Sequence, residues 1–210
     1  MRGKEARKAF LPLFFITGPT LTSQTYYMTV QETESEPANF IRFCPHCGSG
    51  RFVALSGGEF KCEECGFDFF VNSAAAVVAV ITDGEGRLLL TRRARNPFKG
   101  WLDLPGGFVA PGESAETALA REVREELNVM VTGARFLYSF PNEYVYSGYK
   151  VRTTDLAFLC TTDTKPETCD DDVESIIWLS PSEVNMDVVA FSSIRNILAK
   201  VKEDRPSLWH

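Results

Sequence analysis

The chain lacks an excess of positive charge: its 210 residues carry 22 Lys and Arg against 28 Asp and Glu, a formal net charge of −6. Proteins that coat nucleic acid without regard to sequence work through a basic surface, so that class is disfavoured. Neither a basic stripe nor a helix-turn-helix pattern stands in for it. An anionic substrate remains open, because a bound divalent cation reverses the local sign. The apolar run near the N-terminus, Ala9 to Thr17, is nine residues long, against the ~20 that a membrane-spanning helix needs. No membrane partner is expected, and no internal repeat is visible. A disulfide framework is missing too. Of six cysteines, four fall in two Cys-x-x-Cys pairs and Cys160 and Cys169 stand alone. That distribution reads as metal binding in a reducing compartment, and hence a cytoplasmic protein.

The composition is otherwise that of an ordinary soluble globular protein, long enough for one good-sized domain and a small one. The basic start and short apolar run read either as a weak signal peptide, though with Pro12 inside it and no small-x-small cleavage site, or as an unstructured extension upstream of a start at Met28. The polar, acidic stretch TVQETESEPAN after Met28 reads as a linker. The expected organisation is an extension and linker over residues 1–38, a cysteine module over 39–72 and an α/β (α+β) domain over 73–205. Within the last, strands are expected at about Ala75–Thr82 and Arg87–Arg93, joined by Asp83-Gly84-Glu85-Gly86. Another short strand ends on Pro105-Gly106-Gly107, and others are expected at Ala134–Ser139, Arg152–Cys160 and Ser175–Leu179. Helices are expected from the N-cap Ser114 to about Leu127, and over Phe191–Lys202. Strands interspersed with two helices imply a mixed sheet.

Cys44/Cys47 and Cys62/Cys65 lie fourteen residues apart, Gly48 to Lys61. Two such corners converge on one tetrahedral ion, which makes structural Zn²⁺ the first expectation; iron, free thiols and a redox pair are the alternatives. The glycines Gly48 and Gly66 let the backbone turn tightly around the sulfurs. Four thiolates fill the shell, leaving His46 a solvent-facing role and the module a structural or recognition one.

The stretch from Gly106 to Asn128 crowds carboxylates together. On a helix, Glu122, Glu125 and Glu126 share one face through their i, i+3, i+4 spacing, and like charges there cost a few tenths of a kcal/mol per pair. A solvated acidic face is the ordinary reading. Against it stand Arg121, able to pair with Glu113 upstream, and Gly106-Gly107, which allows close approach of backbone to a ligand. The apolar stripe Leu119, Val123, Leu127 would fix the helix on the sheet, and Glu116 favours the helix start. Clustered carboxylates are hard ligands suited to Mg²⁺ or Mn²⁺, ions that bridge protein and substrate phosphates.

The spacing Gly107, Glu113, Arg121-Glu122-Val123-Arg124-Glu125-Glu126-Leu127-Asn128-Val129 resembles the signature of the Nudix hydrolases, with Asn128 where a glycine is usual. Asparagine is the next most tolerant residue for a left-handed cap. The resemblance, over roughly Ser73 to Asp204, implies the Nudix fold, a mixed sheet sandwiched between helices. It implies Mg²⁺-dependent hydrolysis of a nucleoside diphosphate linked to another moiety. Glu122, Glu125 and Glu126 would then be metal ligands, with a backbone carbonyl at Gly106 or Gly107. Arg121 and Glu113 would be the supporting ion pair of the catalytic site, and Glu125 or Glu126 the general base. Relatives recruit a further acid from a late loop, here Asp172 or Glu174; an acidic surface loop is the alternative.

A four-cysteine ribbon directly before such a domain resembles the NADH pyrophosphatase branch, beside ADP-ribose pyrophosphatases. Where that branch carries a Ser-Gln-Pro-Trp-Pro-Phe-Pro-like segment, this chain has YSFPNEYVYSGYK at Tyr138–Lys150. A dinucleotide or ADP-sugar, NAD(H) or ADP-ribose, is the expected small-molecule substrate. Tyr144, Tyr146 and Tyr149, with Phe98 and Trp101, are candidates to stack on a ring, or simply core and surface aromatics. Arg92, Arg93 and Arg95 are candidate phosphate contacts, or in part a solvated strand end. The rival readings are a non-catalytic Nudix-fold regulator that senses a nucleotide or binds nucleic acid, and an enzyme removing nucleotide caps from RNA. Nucleic acid is otherwise not an expected partner. Relatives are often dimers, so a homodimer is the assembly to test for.

Overall fold

The computed structural model describes residues 34–169 and 172–204. The N-terminal extension, Met28 and most of the expected linker lie outside them. The first helix, α1 (Pro37–Phe40), precedes a small antiparallel sheet of β1 (Phe52–Ala54), β2 (Glu59–Cys62) and β3 (Asp68–Phe70). Its core is Phe52 and Phe60, stacked 5.5 Å apart, with the buried Cys44 and Cys62.

The larger unit begins at β4 (Ala74–Ile81). Then come β5 (Leu88–Arg93), β6 (Leu102–Asp103), β7 (Gly106–Phe108), α2 (Ala115–Leu127), the hairpin β8 (Val131–Tyr146) and β9 (Tyr149–Thr162), β10 (Val173–Leu179) and α3 (Ser192–Asp204). One sheet has the order β7-β4-β9-β8, mixed because β4 runs parallel to β9; the other, antiparallel, is β10-β5-β6. The alternation of β4 sorts its apolar residues to two faces. Val77, Ala79 and Ile81 pack with Leu119, Val123 and Leu127 of α2. Val78 and Val80 pack with Ile194, Ile197 and Val201 of α3. The mixed sheet thus lies between two helices, as the Nudix resemblance implied. Among the described residues no helix is long and apolar enough to cross a membrane.

Two features exceed the sequence expectation. The hairpin strands run well past Ala134–Ser139 and Arg152–Cys160, because Ser147 (φ 51°) and Gly148 (φ 80°) close a two-residue turn with both central residues left-handed. That turn matches the natural twist of the strands and lets pairing continue to Tyr146 and Tyr149. The end of the expected linker is also seated on this hairpin. Lys150, 5% exposed, donates its backbone N–H to Ser35 O at 2.8 Å and its Nζ to Glu36 at 2.7 Å. Phe40 meets Tyr149 edge-on at 5.4 Å. A buried lysine needs such a carboxylate, so the residues ahead of the ribbon fix it to the strand pair.

Candidate functional site

Helix α2 starts where expected. Ser114 Oγ accepts the N–H of Thr117 at 3.2 Å, and Asn128 ends the helix at φ 56°, the left-handed geometry in which a glycine is common. With Ala118, Leu119, Val123 and Leu127 buried under the sheet, the carboxylates are left on the flank facing β7.

Arg121 organises that flank with all five of its N–H groups. Its Nε and one terminal nitrogen grip both oxygens of Glu113 at 3.0 Å, and that nitrogen also reaches Phe108 O at 3.1 Å. The other terminal nitrogen donates to Glu122 at 2.8 Å and Glu125 at 3.0 Å. The loop from Phe108 to Glu113 is therefore tied to the helix by charge-assisted, partly bidentate bonds. Glu113 is held below the usual carboxylate range by the Arg121 guanidinium. Arg121, beside Glu113 and Glu122, is locked in its charged form.

The three glutamates of the face are not equivalent. Glu125 is half exposed. Glu122 is mostly buried, and burial raises its carboxyl above the normal value. Glu126 accepts the N–H of Gly106 at 3.0 Å. Burial nevertheless pushes it up to about 8, with further contributions from Asp103, Glu122 and Asp172. Gly107 lies hard against Glu122: a Cβ there would stand 2.5 Å from the Glu122 carboxyl carbon. Among the described residues only the four cysteines bring three or more ligand atoms within 4.8 Å of one another. The glutamate oxygens are shared between Arg121 and the β7 backbone. Even so, hard carboxylate oxygens pressed against a glycine backbone are a donor set that fits Mg²⁺ or Mn²⁺.

Glu122, Glu126 and Gly107 line a cavity of about 540 Å³ between the two sheets. Asp103 lies there too, paired with Arg93 at 2.7 Å, yet burial raises it to about 6. Arg93 also stands 4.8 Å over the ring of Phe191, which meets Tyr144 at 5.1 Å. Tyr146 and the exposed pair Arg95–Asp172, 2.7 Å apart, line the same cavity. A third part of the wall is polar: Asn142, Thr153 and Asp155.

The cavity brings together Glu122, Glu126, Gly107, Tyr144, Tyr146, Asp172, Arg93 and Arg95 among the sequence candidates. Others lie elsewhere. Arg92 turns away to donate to Gly100 O at 2.5 Å, since alternate residues of β5 face opposite ways. Glu174 is exposed on β10, and Tyr149 packs on Phe40. Phe98 meets Phe191 edge-on at 5.3 Å and also packs with Trp101 at 5.3 Å. Glu125 and Glu113 meet the site through Arg121. Sequence reasoning missed Asp103, Asn142, Asp155 and Phe191. Asp155 alone left a signal: it is an acid in the buried phase of a strand, between Thr153 and Ala157.

In the ribbon, Cys44 and Cys65 sulfurs are 3.7 Å apart, and those of Cys47 and Cys62 3.6 Å. Tetrahedral ligands at a Zn–S distance of about 2.3 Å stand about 3.8 Å from one another, so the spacing fits such an ion. Gly48 (φ 73°) and Gly66 (φ 76°) send their N–H groups back to Cys44 O and Cys62 O, the left-handed turn the motif required. The N–H groups of Cys65 and Glu64 lower the Cys62 thiol to about 7 against the cost of burial.

Residues 72–201 match the family model of the NUDIX domain. Part of the chain is 38% identical over 78 residues to the ADP-ribose pyrophosphatase of Methanocaldococcus jannaschii, covering 36% of this chain and 46% of that protein. Another match is 34% identical over 98 residues to the NAD-capped RNA hydrolase NudC of Stutzerimonas stutzeri, covering 47% of this chain and 35% of that protein. The chain thus spans less than half the length of either relative. A NUDIX hydrolase from Nitrosomonas europaea shares the fold at a TM-score of 0.57 and 21% identity, over 79% of this chain and 92% of its own.

Proposed function

The chain belongs to the Nudix family, and from that premise we propose that it hydrolyses the pyrophosphate bond of a nucleoside diphosphate linked to a second group. NAD(H) or ADP-ribose is the preferred class. Supporting this choice, the names of both relatives refer to an adenosine diphosphate, in ADP-ribose and in the NAD cap. The observation that carries the reading is the meeting of Glu122 and Glu126 with Tyr144 and Phe191 in one cavity. Acids for a cation and phosphates stand in the same space as rings for a base.

Glu122, Glu125 and Glu126, with the Gly107 carbonyl, would hold Mg²⁺ or Mn²⁺. When bound, the ion neutralises pyrophosphate charge and acidifies a coordinated water. Arg121 keeps Glu122 and Glu125 oriented and, through Glu113, anchors the loop before the helix. Of the two candidate bases, Glu126 is favoured over Glu125. Glu125 is half exposed and turned to Arg121, whereas Glu126 lines the cavity where the substrate phosphates would sit. Its carboxylate takes a proton from the attacking water as oxygen bonds to phosphorus, and the bond to the bridging oxygen breaks to release two phosphomonoesters. Arg93 and Arg95 supply positive charge at the cavity wall. Structural Zn²⁺ on Cys44, Cys47, Cys62 and Cys65 would hold the ribbon.

The test is a panel of NADH, NAD⁺, ADP-ribose, NAD-capped RNA and nucleoside triphosphates, with Mg²⁺ and with EDTA, scored for products. Mg²⁺-dependent AMP release from a dinucleotide or ADP-ribose is expected. Nucleotide binding with no hydrolysis of any compound would favour the non-catalytic sensor.

A further inference from the structure

The polar wall of the cavity has no part in the chemistry above, and its construction points to a ligand. Asn142 on β8 is the register partner of Thr153 on β9, and Asp155 follows on the same face. They are 7%, 3% and 5% exposed. Three hydroxyls serve this group. Thr153 Oγ1 donates to Asp155 Oδ1 at 2.5 Å and Ser193 Oγ to Oδ2 at 2.5 Å, while Ser192 Oγ donates to Asn142 Oδ1 at 3.1 Å.

Every one of those hydrogens goes to an oxygen. The carboxylate oxygens keep further acceptor capacity, and Asn142 keeps its amide hydrogens. No buried side-chain nitrogen or oxygen among the described residues lacks a partner. The Asn142 amide nitrogen makes no hydrogen bond among those residues, so it opens on the cavity. An acceptor and a donor are thus presented side by side. The aromatic pair is beside them by construction: Tyr144 is two residues along β8 from Asn142, on the same face, and Phe191 directly precedes Ser192 and Ser193. A buried carboxylate is costly to keep without reason.

We infer that Asp155 and Asn142 read the base of the nucleotide. Asp155 accepts from the exocyclic amine of adenine, Asn142 donates to a neighbouring ring nitrogen, and the ring lies on Tyr144 and Phe191. The inference rests on the reading of the cavity as the nucleotide site of a hydrolase. Hypoxanthine places a carbonyl oxygen where adenine has its amine, and that oxygen faces the Asp155 carboxylate with no hydrogen between them. Losing the bond and leaving a buried acceptor unpaired weakens binding by about tenfold or more.

Equilibrium binding of ADP-ribose, its hypoxanthine analogue and its guanine analogue is measured by calorimetry with EDTA present, so that affinity is read without turnover. The wild type is expected to bind ADP-ribose at least about tenfold tighter than the hypoxanthine analogue. In Asp155→Asn, whose amide can donate to the carbonyl oxygen, that ratio should fall to near one. Equal wild-type affinities, tighter binding of the guanine analogue, no binding of ADP-ribose, or an unchanged ratio in a folded Asp155→Asn protein would each overturn the assignment. The wild-type comparison stands even if the variant fails to fold. Hydrolysis with Mg²⁺ is scored in parallel: turnover without base discrimination refutes the base reader alone, and discrimination without turnover refutes the hydrolase alone.

Discussion

Gly106 and Gly107 are adjacent, yet replacing each by alanine should fail in a different way. At Gly106 a Cβ would stand 2.0 Å from Val77 O and 2.8 Å from Val78 Cα, and the residue sits at φ 152°. Both neighbours are backbone of β4, whose Val77 is fully buried, so nothing can swing aside. Overpacking of about 1–3 kcal/mol adds to backbone strain of similar size, giving a loss of about 2–5 kcal/mol. For a chain of this length that is a fall in Tm of roughly 5–15 °C. At Gly107 the three atoms nearest the Cβ would be those of the Glu122 carboxyl, at 2.5–2.6 Å. That group ends a flexible side chain, so the fold survives by moving it about 1 Å, a displacement that costs a site about 100-fold in rate. The assay pairs thermal unfolding with kcat/KM in Mg²⁺. Gly106→Ala should lose stability, and Gly107→Ala should keep its Tm and lose activity. A Gly107→Ala enzyme with full kcat/KM, or one as unstable as Gly106→Ala, would refute this use of the two glycines.

Further expectations concern protons and metal. The Glu126 pKa is raised from 4.5 to about 8 by burial. The folded state therefore binds more protons than the unfolded state between those values, and stability falls as pH rises through that window. In EDTA the wild-type Tm should drop between pH 5 and 8, by the equivalent of a few kcal/mol. Glu126→Gln should remove most of the slope between about pH 6 and 8 and leave the part at lower pH that the buried Asp103, raised to about 6, contributes. An unchanged slope above about pH 6 would contradict the burial assigned to Glu126. Elemental analysis should find about one zinc per chain, lost in Cys62→Ser. Iron, or no metal, would overturn the zinc assignment.

Much of the fold was legible because it follows local periods. The stripe Leu119, Val123, Leu127 and the cap Ser114 placed α2, and the paired Cys-x-x-Cys corners placed the ribbon sulfurs. The carboxylates of the helix were legible because a fixed spacing puts them on one flank. What escaped is set by tertiary pairing. The reach of β8 and β9 depends on a left-handed Ser147-Gly148 turn, and the seat of Glu36 on Lys150 joins residues far apart in sequence. Asp103, Asn142 and Phe191 reach the cavity from β6, from β8 and from the residue before α3, and no period in the chain links them. Arg92 and Arg93 are neighbours of the same type, and only the phase of β5 decides that Arg93 faces the cavity and Arg92 does not.

The central claim is that the carboxylate flank of α2 works as a metal-dependent hydrolytic site. Its most direct test is AMP release from ADP-ribose and NADH by the wild type and by Glu126→Gln, in Mg²⁺ and in EDTA, with Tm as a check on folding. The wild type should turn over only with the cation, and the folded variant should lose activity by about 100-fold or more. Hydrolysis that persists in EDTA, or in a folded Glu126→Gln protein, would contradict it.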